Sequence, residues 1–396
     1  MGTRKTHITF FALVTLLSLT VTEAEAQMRH RNYALEARMH YGYIYFQNDE
    51  SHSALGRYSQ HTTGYELSLH RNTYGEHRWE VLHNYPSIGF TFYYSGLGND
   101  SISAELGKAF ALYPYINFPF TPNERSRLGF KLGVGLSYLT NKFDPKENFH
   151  NYAIGSHLNA AINLSFEYRL RVAGRLHWVT SLGLTHFSNG ATRSPNMGIN
   201  TFSAATGFSW YLKPQKHQID RRLRPRNYLF EFDGKRHFVT DVQYTAGFKD
   251  LSQEYGTHQY FFVHNLAGNL MLQLSERDRL GIGVEAVVDN SGKVSHPAWR
   301  TKIGGLVSYE MMLDRVSFMF NLGLRNNEAL PANAFLLYQK VAARYYFNDN
   351  LFATVSFTTY DIKADFISIG IGYHFKHKYY LPRHEKKSRR NPVFPR

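Results

Sequence analysis

Arg127-Leu128-Gly129-Phe130-Lys131-Leu132-Gly133-Val134-Gly135-Leu136-Ser137-Tyr138 decides how the rest of the chain is read. Leu128, Phe130, Leu132, Val134, Leu136 and Tyr138 share one face, and Arg127, Gly129, Lys131, Gly133, Gly135 and Ser137 share the other. Successive side chains of a strand point to opposite faces, so this period of two predicts a strand. The pattern returns near the C-terminus, where Ile367, Ile369, Ile371, Tyr373 and Phe375 oppose Phe366, Ser368, Gly370, Gly372 and His374. A soluble sandwich alternates too, but three features point to a membrane barrel. One face is bulky and apolar while the other is Gly, Ser, Thr and an occasional Lys or Arg. The strands are longer than the roughly five or six residues usual in soluble sheets. Aromatic residues gather at strand ends, as in Tyr45-Phe46, Tyr93-Tyr94, Trp210-Tyr211 and Tyr345-Tyr346-Phe347, in the manner of interfacial girdles. Lipid offers no partner to an unpaired backbone group, so such strands must close on themselves.

The pattern extends to eight strands in the first part of the chain, at 33–47, 58–70, 86–97, 101–113, 126–139, 155–169, 175–188 and 199–212. Eight more lie at 236–248, 259–274, 279–289, 301–313, 315–325, 334–347, 351–361 and 365–375. Short turns (Glu276-Arg277-Asp278, Asp314, Asn348-Asp349-Asn350) alternate with longer connections such as 140–154, 189–198, 249–258 and 290–300. Short periplasmic turns and long external loops are the outer-membrane arrangement. The stretch from Lys213 to Arg226, with two prolines and dense charge, reads as a linker. The expected class is therefore all-β, an antiparallel outer-membrane β-barrel. Two tandem eight-stranded barrels and one sixteen-stranded barrel both fit, the tandem being favoured because a complete eight-stranded unit precedes the linker. The expected domains are a signal peptide 1–26, a first barrel 27–213, a basic linker 214–226, a second barrel region 227–375 and a basic periplasmic tail 376–396.

The N-terminus sets the compartment. Arg4 and Lys5 precede an apolar run from Ile8 to Val21 that ends at Ala24-Glu25-Ala26. A basic start, a short apolar core and an A-x-A end describe a secretory signal cleaved after Ala26; as a membrane anchor the run is short. The chain has 396 residues, 28 Tyr, 30 Phe and no Cys. The aromatic content argues against disorder, and the lack of cysteine excludes thiol catalysis, disulfides and Cys-ligated zinc. Neither an HExxH, a phosphate loop nor a dinucleotide fingerprint occurs, so no metal or cofactor is implied. Gly-x-Gly pairs such as Gly133-Val134-Gly135 and Gly370-Ile371-Gly372 are inward barrel positions.

The chemistry lies on the strand 175–188, the connection 189–198 and the start of the next strand. Leu176, Trp178, Leu182 and Leu184 form the bulky outward face of the first strand, and the same register carries His186 and Ser188 outward at its end. In the next strand Phe202, Phe208, Trp210 and Leu212 are outward, and so is Asn200. His186, Ser188 and Asn200 should therefore meet on the lipid-facing wall near the outer rim, where polar groups are costly and functional by default. Two residues apart on one face, an imidazole and a hydroxyl have the relation a serine nucleophile needs to its base. By itself His-x-Ser is also the composition of an interfacial girdle in a chain with 20 His.

The wider run His186-Phe187-Ser188-Asn189-Gly190-Ala191, then Pro195-Asn196-Met197-Gly198-Ile199-Asn200, resembles the lipid A 3-O-deacylase (PagL) family. The resemblance covers residues 28–213 and places the motif on the seventh and eighth strands. It implies an eight-stranded outer-membrane barrel that removes the 3-O-linked acyl chain of lipid A with a Ser-His-Glu triad on its outer face. This is ester hydrolysis of the lipid A deacylase or acyloxyacyl hydrolase type. On that reading Ser188 is the nucleophile and His186 the base, while Asn196 and the backbone amides near Asn189 and Gly190 stabilise the oxyanion. The family's Glu falls at Asn200, which accepts a hydrogen bond from the imidazole without supplying charge. The implied partner is lipid A of lipopolysaccharide in the outer leaflet of a Gram-negative outer membrane. The alternative is a barrel without enzymatic activity: a pore, a lipid-binding scaffold or a pseudoenzyme.

The formal charge of +14 would suit nucleic acid, but the exported location excludes that partner. The linker 213–226 holds six Lys or Arg and one Asp, and residues 376–396 hold eight and one Glu, so these two segments carry 12 of the 14 charges. Both are expected on the periplasmic side, solvated beside anionic headgroups or in contact with a periplasmic partner.

Overall fold

A computed structural model describes residues 33–46, 59–75, 77–97, 105–120, 125–213, 236–250, 259–291, 301–326, 335–360 and 363–381. The expected signal peptide, the expected linker 214–226 and the end of the expected tail lie outside them. Two closed antiparallel barrels of eight strands form, each strand hydrogen-bonded to its neighbours in sequence. In the first, β1 (Tyr33–Tyr45), β2 (Gln60–Asn72), β3 (Ser87–Gly96), β4 (Lys108–Pro119), β5 (Ser126–Leu139), β6 (Leu158–Arg171), β7 (Leu176–Ser188) and β8 (Ile199–Tyr211) close through β1 against β8. A short helix, α1 (Arg78–Leu82), sits between β2 and β3. In the second, β9 (Arg236–Asp250), β10 (Tyr260–Gln273), β11 (Asp278–Asp289), β12 (Thr301–Leu313), β13 (Val316–Asn326), β14 (Phe335–Tyr346), β15 (Leu351–Tyr360) and β16 (Lys363–Leu381) close through β9 against β16. The tandem arrangement holds, and the sixteen-stranded ring is excluded. Among the described residues, no helix is long and apolar enough to cross a membrane.

Two strands depart from the expected ranges by more than three residues. β4 starts at Lys108, after Gly107 takes φ +71, and runs through Pro114 to Pro119. A proline cannot donate to a ladder; the pairing of β4 with β5 lapses at Tyr113 and Pro114 and resumes at Tyr115 opposite Gly133. β16 continues beyond Phe375 to Leu381, so the first residues of the basic C-terminal stretch pair with the start of β9.

Alternation sorts the side chains as a barrel in lipid requires. Leu128, Val134, Leu136 and Tyr138 on β5, and Ile369, Ile371, Tyr373 and Phe375 on β16, are exposed on the outer wall. An eight-stranded barrel is just wide enough for its own side chains, and here they are ionic. In the first lumen Arg38 pairs with Glu66 (2.5 Å), Glu36 (3.0 Å) and Glu167 (3.2 Å). Lys131 pairs with Glu66 (2.6 Å), and Arg169 with Glu36 (2.7 Å) and Glu167 (2.8 Å). The second lumen holds Arg344 between Asp241 (3.1 Å) and Glu310 (3.3 Å), Arg279 on Glu310 (3.1 Å), and Arg325 (2.7 Å) and Lys340 on Glu285. Above the first network Ile44, Leu97, Tyr113, Leu139, Ile154, Phe187 and Ile199 form an apolar plug. Both lumens are filled.

The barrels touch at both ends. On the short-turn side Arg78 pairs with Glu276, and His83 Nε2 lies 2.9 Å from the Met312 carbonyl oxygen. On the long-loop side Asp250 meets Ala191 and Ser194.

Removing one member of a sealed ionic network leaves its partners charged and unpaired, at a cost of about 3–5 kcal/mol. Glu66→Ala, which strands Arg38 and Lys131, should therefore lower the urea midpoint of the refolded protein sharply. An unchanged midpoint would contradict the sealed-network description.

Candidate active site

β7 carries the site to the outer rim and fixes its direction. Phe187, between His186 and Ser188, is wholly buried in the apolar plug, and so is Ile199, next to Asn200. A strand that sends Phe187 inward must send both flanking residues outward, and the same holds for Asn200 beside Ile199. The β7–β8 ladder sets His186 directly opposite Asn200. Cross-strand neighbours on one face are the closest side-chain pairs a sheet offers, and His186 Nδ1 lies 2.7 Å from Asn200 Oδ1. With the carboxamide oxygen facing the ring, Nδ1 carries the proton and Nε2 keeps its lone pair. Gly198 leaves room for the imidazole: its φ is +76, and a Cβ there would lie 2.8 Å from His186 Cε1.

Ser188 is not on open wall as its register suggests. It is only 2 % exposed, because the chain turns back over it through Gly190 and Ala191, whose φ values are +64 and +61. Its hydroxyl donates to Asn196 Oδ1 (3.3 Å) and accepts from Asn196 Nδ2 (3.0 Å) and from the Gly190 N–H (3.1 Å). The hydrogen bond expected between Ser188 Oγ and His186 is not formed; the Asn196 carboxamide holds the hydroxyl instead. The Asn189 N–H donates to Asn196 Oδ1 at 3.0 Å, so this amide orients Asn196 and does not itself face Ser188. The Asn189 side chain is structural, donating to Ser156 Oγ (2.9 Å) and the Arg193 carbonyl oxygen (2.8 Å).

All six residues expected at the site, Ser188, His186, Asn200, Asn196, Asn189 and Gly190, thus fall within one segment of β7, its loop and β8. Other contributors lie outside that expectation. Gly198 was legible inside the Asn196-Met197-Gly198-Ile199 run. Phe187 and Ile199 could be deduced from alternation once the register is known. Asp250 and Ile367, which touch the loop from the second barrel, had no signal in the sequence. Among the described residues no group of three or more His, Asp or Glu is arranged to hold a metal.

Chemically, the cluster offers a hydroxyl near an imidazole whose tautomer is set by a neighbour, and two N–H donors converging on that hydroxyl. This is the set of parts that acyl transfer uses.

No curated protein matches the chain. Among solved structures, three variants of the porin of Rhodopseudomonas blastica share 7 % identity and cover 87 % of this chain and 100 % of their own. Their TM-score of 0.19 is too low to bear on fold or function. Two family models match instead. Residues 238–377, the second barrel, match the C-terminal domain described as acyloxyacyl hydrolase, and residues 63–209, which include the whole cluster, match lipid A 3-O-deacylase (PagL). Between them the two matches take in most of both barrels: the first barrel is similar to the PagL family of lipid A deacylases, and the second to the acyloxyacyl hydrolase C-terminal domain.

Proposed function

We propose that the protein is a serine ester hydrolase of the outer membrane that removes the 3-O-linked acyl chain from lipid A of lipopolysaccharide. One observation carries this reading: the Asn200 carboxamide oxygen, 2.7 Å from His186 Nδ1, leaves Nε2 basic on the same outward face as Ser188. Substrate diffusing in the outer leaflet reaches that face laterally and needs no path through the filled lumen. Ser188 Oγ attacks the ester carbonyl carbon, and its proton passes to His186 Nε2. The tetrahedral oxyanion is assigned to Asn196 Nδ2 and the Gly190 N–H, which donate to Ser188 Oγ in the free protein and must turn from it to the oxygen beside it as the tetrahedral centre forms. Collapse expels the sugar hydroxyl, which takes the proton from His186. Water then cleaves the acyl-serine and releases a 3-hydroxy fatty acid. For attack the Ser188 hydroxyl must swing from Asn196 to His186; catalytic hydrogen bonds that are long or absent in free enzymes often form only in the substrate complex.

Asn200 modifies this chemistry. In a serine triad, exchanging the acid for an amide costs about 10⁴ in rate, largely by selecting the wrong imidazole tautomer. Here the amide oxygen faces the ring, so the tautomer is right and only the charge that steadies the imidazolium is missing.

Mixed with lipopolysaccharide, the protein should convert lipid A to a species lacking one 3-hydroxy fatty acid by mass spectrometry, and Ser188→Ala should end that conversion; equal release by both would remove Ser188 as nucleophile. Asn200→Glu should keep or raise the rate by restoring the charge, whereas a large loss would show that Asn200 does not serve His186. Gly198→Ala places a methyl against the His186 ring and should lower kcat by roughly 10²-fold, as misplacement of about 1 Å does. Wild-type kcat in that variant would remove Gly198 from the site.

A further inference from the structure

Loop 189–198 bears both groups that address Ser188 Oγ, the Gly190 N–H and the Asn196 carboxamide. Its own barrel supports one flank, where Ser156 Oγ accepts from Asn189 Nδ2 at 2.9 Å and the Ala153 carbonyl oxygen accepts from the Gly198 N–H at 2.9 Å. The other flank rests on the second barrel. Asp250, the last residue of β9, is 1 % exposed. Its N–H donates to the Ala191 carbonyl oxygen (2.8 Å), its carboxylate accepts from the Ser194 N–H (3.1 Å), and its carbonyl oxygen accepts from Ser194 Oγ (2.5 Å). Ile367 on β16 lies against Gly190 so closely that a Cβ on that glycine would run into its side chain. Ala191 holds a positive φ, a conformation that a non-glycine residue keeps only where the surroundings determine it.

We infer that the second barrel is part of the catalytic apparatus: through Asp250 and Ile367 it fixes loop 189–198, and Asp250 is a positioning residue for the oxyanion donors Gly190 and Asn196. This rests on the reading of Ser188 as nucleophile. A buried carboxylate is a strong acceptor for a backbone N–H; it holds Ser194, two residues before Asn196, while the Asp250 backbone N–H holds Ala191. The eight strands that carry the catalytic side chains are in this respect incomplete alone. The role of the second barrel is to hold the rim of the first, without touching substrate.

The test uses the full chain refolded into vesicles containing lipopolysaccharide, with two readouts: kcat and KM for fatty-acid release, and hydrogen–deuterium exchange of the amides in 189–198. The double variant Asp250→Ala with Ser194→Ala removes two of the three hydrogen bonds. It should lower kcat roughly 10- to 100-fold with KM little changed, and loop exchange should accelerate. Asp250→Asn keeps an oxygen for the Ser194 N–H and should retain most of both. Arg78→Ala, which breaks the ion pair to Glu276 between the barrels at the other end, should leave both unchanged. Should the double variant fail to fold, Ser194→Ala alone, which deletes one hydroxyl and no charge, is read in the same way. Unchanged kcat in the double variant, or an equal loss in Arg78→Ala, overturns the inference. If the wild-type chain releases no fatty acid, the hydrolase reading fails and the catalytic role of Asp250 falls with it. Exchange then still judges the brace, which is overturned if the loop amides exchange alike in wild type and variant.

Discussion

A backbone N–H or C=O in hydrocarbon has no solvent to turn to, and that constraint shapes everything else in this protein. Strands must pair on both sides, so the sheet must close. Closing at eight strands leaves a lumen with room for side chains and little more. The interior is accordingly occupied by ion pairs such as Arg38–Glu66 and Arg344–Asp241, and by the apolar plug around Phe187. With the inside full, chemistry has only the wall and the rim, and the wall is apolar. A polar cluster at the end of β7 is therefore conspicuous for a physical reason.

The same closure explains how few residues build that cluster. Once Phe187 and Ile199 are committed to the plug, pleat and register deliver His186, Ser188 and Asn200 to a common face. The direction of the side chains comes from the sheet, and loop 189–198 reaches Ser188 from above it. That loop is where the second barrel makes contact, through Asp250 and Ile367. Two barrels that look like independent units by topology are thus joined beside this cluster as well as at the short-turn end.

Much of this was legible in the residues. Alternation in 127–138 and 366–375 announces strands because pleating imposes a period of two, and the count of eight plus eight comes directly from it. The site motif was legible because its residues are local in sequence. What alternation could not supply was the path of β4 across Pro114, since the lapse in its ladder to β5 depends on which neighbour the proline faces. Nor could it supply the burial of Ser188, which comes from a reversal at Gly190 and Ala191. The contact of Asp250 with Ser194 spans two barrels with no shared motif, and only the folded chain brings it together. His186 and Ser188 are adjacent as register demands, but which partner the hydroxyl prefers is decided by Asn196.

The sealed lumens also bear on how the protein meets seawater, brine or dilute medium. In the first barrel Glu36, Glu66 and Glu167 balance Arg38, Lys131 and Arg169 among themselves. Dissolved ions weaken an attraction only by gathering around the charges, and these side chains are almost wholly out of their reach. The interior attraction should thus be blind to ionic strength, while the exposed Arg78–Glu276 pair is not. A change of salinity would act on the short-turn end of the joint between the barrels and leave each barrel as it was.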